Sequence, residues 1–66
     1  MSIIAIIERT QNMCNIYKAV IALNPSRFQG KTPAETAKEL IELVGIEPDT
    51  INMAHLENFI ESKTTH

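Results

Sequence analysis

Residues 2–23 read SIIAIIERTQNMCNIYKAVIAL, the longest run in the chain without glycine or proline and the one with the densest apolar side chains. On a 3.6-residue repeat, Ile3, Ile6, Ile7, Thr10, Met13, Cys14, Tyr17, Val20 and Ile21 share one side. Glu8, Gln11, Asn12, Asn15 and Lys18 share the other. Apolar positions at i, i+3, i+4 and i+7 predict a helix with one buried face. The competing reading makes residues 2–7 a short β-branched strand, with Thr10 capping a later helix. It is disfavoured because a lone strand needs a partner and nothing downstream supplies one.

The stripe does not hold every large apolar group. Ile16 and Leu23 fall well around from it, near Ala5 and Ala19, and Ile4 lies on a further side. Ile16 and Leu23, helped by Val20, predict a second contact strip and are the candidate oligomer-interface residues. A helix over 2–23 is about 33 Å long at 1.5 Å per residue. Each later helix is roughly half that length, so one alone does not cover it. Either both lie across it or another copy of the chain does.

Downstream, the boundaries are carried by capping chemistry. Asn24-Pro25 ends the first helix, since the residue before a proline is pushed out of the α region. The loop NPSRFQGKT (24–32) places two cations around one aromatic, Phe28. That ring either folds back to plug the core or, with Arg27 and Lys31, makes an outward contact for an acidic partner. Thr32, Pro33 and Glu35 form a capping box with proline at N1 and open a second helix over 33–44. Its predicted buried face is Ala34, Ala37, Leu40, Ile41 and Val44, and Gly45 ends it in the left-handed conformation. After the turn Glu47-Pro48-Asp49-Thr50, the preferred start of a third helix (52–62) has Asn52 as N-cap, with Ile51 and Leu56 forming a hydrophobic staple. That helix is expected to fade by Ser62, leaving residues 64–66 a frayed tail. The expectation is therefore an all-α fold over 1–66, a single small helical bundle in which two shorter helices pack across one long N-terminal helix.

Sixty-six residues lie at the size where a single core only just suffices. One cysteine excludes an internal disulfide, and His55 and His66 stand too far apart to suggest a metal site, so neither staple is expected. Self-association is the remaining common device, and a two-fold dimer its commonest form. The lone thiol fits a reducing cytoplasm. The first apolar run is short, has no basic segment before it and is broken by Glu8 and Arg9, unlike a secretory leader. No run approaches the length of a membrane span. The net charge of −2 hides a segregation: Arg9, Lys18, Arg27 and Lys31 precede a second half rich in Glu. Such halves complement one another within a subunit or across a dimer.

Two function classes emerge. Residues 40–56 carry the apolar and glycine spacing of a helix-turn-helix, which predicts a DNA-binding regulator. Against it, Ile41 occupies a position that motif keeps small, and no Lys or Arg lies between Lys38 and Lys63. A surface carrying Glu47, Asp49 and Glu57 repels phosphate, so nucleic acid is a disfavoured partner. Gly30-Lys31-Thr32 has the ending of a phosphate-binding loop without its first glycine or its strand. Cys14 sits on the apolar stripe, where a thiol behaves as a small hydrophobe, and His55 falls on an exposed first turn, so no catalysis and no cofactor are expected. The better-supported expectation is a helical protein-protein interaction module of adaptor or inhibitor type, acting as a homo-oligomer.

Overall fold

Ser2 opens the first helix: its backbone is extended and its Oγ accepts the Ala5 N–H at 3.1 Å. The computed structural model describes residues 2–64. Helix α1 (Ile3–Leu23) is continuous, so residues 3–7 are helical and the strand alternative falls. Helix α2 (Pro33–Val44) and helix α3 (Met53–Thr64) follow, with a single 3₁₀ turn, Pro48–Thr50, between them. The chain is an all-α bundle of one long and two shorter helices.

Each boundary has its chemical cause in place. Both halves of the capping box are made: Thr32 Oγ1 accepts the Glu35 N–H at 3.1 Å, and Glu35 Oε1 accepts the Thr32 N–H at 2.9 Å. At the other end of α2, Gly45 has φ +84°, and the Gly45 and Ile46 N–H groups both donate to the Ile41 carbonyl. Asn52 caps α3, its Oδ1 accepting the His55 N–H at 3.0 Å, with Ile51 before it and Leu56 after it both buried. Helix α3 runs two residues beyond the expected stop at Ser62. Thr64, expected in the tail, is helical, and its Oγ1 donates to the Ile60 carbonyl at 3.1 Å. The other tail residues, 65 and 66, lie outside the described residues.

The core is Met13, Cys14, Tyr17, Phe28, Ala37, Leu40, Ile41, Ile51, Leu56 and Ile60. In α2 the buried face is rotated from the expected one. Thr36 is buried, whereas Ala34 and Val44 are exposed, because α2 packs chiefly against α3 and touches α1 least. Helix α3 runs in the same direction as α1: Asn52 lies beside Thr10 and Phe59 sits edge-on to Tyr17, ring centroids 6.2 Å apart. Helix α2 runs back in the opposite direction, as its short connections require, and packs mainly on α3. The 21 residues of α1 exceed the 12 of α2 and of α3, so both shorter helices stand against its C-terminal part and its first turns project beyond them.

Candidate functional site

The projecting end of α1 carries Ile3, Ile4 and Ile7, which are 73 %, 67 % and 62 % exposed. Their spacing puts Ile3 and Ile7 on the side expected to be buried. They do lie on that side of the helix, but among the described residues no other element extends far enough to cover them. The total accessible surface, 4488 Å², is close to the ~4,200 Å² usual for a monomer of this mass. The fold as a whole is therefore not short of cover, and its exposed large apolar residues are Ile3, Ile4 and Ile7 at this end with Leu23, Leu43 and Val44 elsewhere among the described residues. Covering the exposed parts of three isoleucines, roughly two full side chains, is worth on the order of 3–6 kcal/mol.

Where the overhang meets the bundle, a groove of about 240 Å³ runs between α1 and the start of α3, lined by Ile7, Thr10, Gln11, Asn52 and His55. Its floor is held by one buried hydroxyl. Thr10 Oγ1 donates to the Ile6 carbonyl at 2.7 Å and accepts the Asn52 N–H at 2.9 Å, joining residues 42 apart in sequence. That bond fixes where α3 begins along α1 and therefore how much of α1 is left over.

The loop residues form a clasp. Phe28 is buried and stacks on Tyr17, centroids 6.1 Å apart, so of its two sequence readings the core plug is the one realised. Arg27 Nη1 and Lys31 Nζ reach the two carboxylate oxygens of Glu39 on α2, at 2.7 Å and 2.9 Å, and the Arg27 guanidinium also lies over the Phe28 ring. Hydrogen bonds from Lys31 and then Arg27 hold the Glu39 carboxyl below its ordinary range. The basic first half and acidic second half thus meet within one subunit at this point. A second depression beside the loop is bounded by Tyr17, Ile21, Phe28, Lys31 and Lys63. Its cations are engaged, Lys31 with Glu39 and Lys63 over the Phe59 ring.

The candidate interface residues part company. Ile16 and Val20 are half-buried against the flank of the core, while Leu23 is 88 % exposed at the opposite end of α1 from the overhang. At i, i+4 and i+7 they lie along one side of α1, and their exposure rises toward its C-terminal end. Burial pushes the Cys14 thiol up, with nearby Lys18 only partly opposing, so it remains a protonated, packed group. Among the described residues no three His, Cys, Asp or Glu side chains gather as a metal-ligand set, and no helix is long and apolar enough to cross a membrane. Pro48 starts only the 3₁₀ turn, and α3 begins at Met53, so the acidic Glu47 and Asp49 stand outside the would-be recognition helix while Glu57 and Glu61 lie on it. No protein-family model, curated protein or solved structure matches the chain.

The site missed from sequence is the group Ile3, Ile4 and Ile7. Its signal was the length mismatch: periodicity tells which side of a helix faces inward, while only the lengths of its companions tell how far the cover extends.

Proposed function

We propose that the chain is a helical protein-protein interaction module of adaptor or inhibitor type that acts as a homo-oligomer without catalysis, in a reducing cytoplasm. The observation that carries this reading is the exposure of Ile3, Ile4 and Ile7 together on the first two turns of α1. An apolar strip on a firmly capped helix is a ready docking face, whether for a second copy or for another protein that offers a groove. The remaining surface supports the same assignment. The loop cations are held by Glu39, leaving a weaker basic patch for nucleic acid than the sequence suggests. The lone thiol is packed in the core, in keeping with a compartment that does not need it oxidised.

The test is the mass in solution together with retention on duplex DNA, each at low and high salt. A mass above the 7.4 kDa of one chain that is insensitive to salt, with no DNA retention, is the expected result. Salt-sensitive retention on DNA reverses the assignment in favour of the helix-turn-helix over 40–56.

A further inference from the structure

At the end of the bundle away from Ile3, Ile4 and Ile7, the last turns of α1, the loop over 24–32 and the end of α3 enclose a depression. A recess of about 370 Å³ beside the loop and one of about 270 Å³ beside α1 adjoin there, sharing Tyr17, Ile21 and Lys63. Apolar groups make the wall, chiefly the Tyr17 and Phe28 rings and Ile21. Lys18, Lys31 and Lys63 stand at the rim, and no carboxylate lines either recess.

The hydroxyl of Tyr17 is the polar group at the bottom. Tyr17 is 2 % exposed, and its hydroxyl has no hydrogen-bond partner among the described residues. No side-chain oxygen or nitrogen sealed from solvent lacks a partner, so the accessible sliver of Tyr17 includes the hydroxyl. Tyr17 borders both recesses, and that is where the group emerges. A buried ring therefore presents one unpartnered donor among lysines, above an apolar wall.

We propose that this depression binds a small amphiphilic carboxylate, its hydrocarbon body against Ile21 and the Phe28 ring and its carboxylate received by the Tyr17 hydroxyl between the Lys18 and Lys63 ammonium groups. Charge selects an anion. Neither Lys18 nor Lys63 pairs with a carboxylate among the described residues, and the Phe59 ring beneath Lys63 leaves its charge in full. Glu39 is shared between Lys31 and Arg27, so one carboxylate there faces two cations. Burial pushes the Tyr17 hydroxyl up, which keeps it protonated and a donor at neutral pH. Arg27, whose planar fork suits phosphate, is held on Glu39, and the donors left are point charges that suit a single carboxylate. The volume falls toward the lower end of the roughly 300–1,000 Å³ usual for small-molecule sites, which fits a short hydrocarbon body. This site is separate from the docking face at the start of α1 and does not depend on it.

Octanoate is the probe, followed through the backbone amide resonances of the full chain in nuclear magnetic resonance spectra. Saturable shifts are expected around Tyr17, Ile21, Phe28 and Lys63. Acetate, which lacks the body, and octylammonium, which inverts the charge, are each expected to bind at least about ten-fold more weakly. Tyr17→Phe is expected to weaken octanoate about three- to ten-fold. The double variant Lys18→Gln/Lys63→Gln is expected to weaken it about five-fold or more and to reduce its sensitivity to salt. Lys38→Gln, on α2 outside the depression, is expected to change it by less than about two-fold. An unchanged helical circular dichroism signal verifies that each variant is folded. The proposal is overturned by octylammonium binding as well as octanoate, by shifts centred on Ile3, Ile4 and Ile7, or by no saturable shift at all. Octanoate binding unaltered by Tyr17→Phe or by the lysine pair overturns it equally.

Discussion

The two parts of α1 have nearly the same kind of sequence and opposite fates. Met13, Cys14 and Tyr17 are all but sealed, whereas Ile3, Ile4 and Ile7, more apolar residue for residue, stand open to water. The difference is not in the helix but in what lies alongside it. Helices α2 and α3 begin and end at levels fixed by their own caps and by the Thr10–Asn52 bond, and Ile3, Ile4 and Ile7 lie ahead of that level. Hydrophobicity creates the demand for burial; the lengths of companion elements decide where it is met.

Substitutions sharpen the contrast. Met13→Ala empties a position that is 2 % exposed and should cost about 2–5 kcal/mol in urea unfolding. Thr10→Val keeps the volume but leaves the Asn52 N–H without its acceptor. A loss of about 1–3 kcal/mol is expected, with faster hydrogen exchange at the start of α3. If Thr10→Val is silent, the boundary between the covered and uncovered parts is set by packing alone. Smaller again is the clasp at the loop end of α1. The Glu39 carboxyl is held below its ordinary range by Lys31 and Arg27, so its contribution is present at neutral pH. That contribution declines as pH falls through the acid range, and Glu39→Gln should flatten this part of the pH dependence. Smallest of all is Ile7→Ala, expected to change the stability of the dilute, monomeric chain by less than about 0.5 kcal/mol. A loss approaching that of Met13→Ala would mean the overhang is covered within a single chain, and the contrast would collapse.

Legibility in the sequence followed the range of the interactions. The capping box at Thr32 and Glu35, the left-handed Gly45 and the Asn52 start are decided within a few residues, and each appears as the sequence indicates. Ile51, Leu56 and Ile60 likewise face inward as their spacing requires. What the sequence did not disclose depends on relative placement. The burial of Thr36 in place of Ala34 and Val44 follows from α2 lying closer to α3 than to α1. The difference in exposure between Ile16 and Val20 on one hand and Leu23 on the other follows from where the bundle ends. The bond between Thr10 and Asn52 spans 42 residues, and no local pattern announces it. For the same reason no local pattern announces the exposure of Ile3, Ile4 and Ile7.

Cys14 gives the chain an internal clock. Its sulfur is enclosed in the core and its proton is retained, so a thiol reagent in the solvent reacts only in the moments when the bundle parts. The native chain thus reports the frequency of its own opening through the rate at which a colorimetric disulfide modifies that one sulfur, with no label introduced. Because the overhang is remote from this residue, the rate follows the integrity of the core and is blind to events at the tip of α1 unless those events tighten the whole molecule.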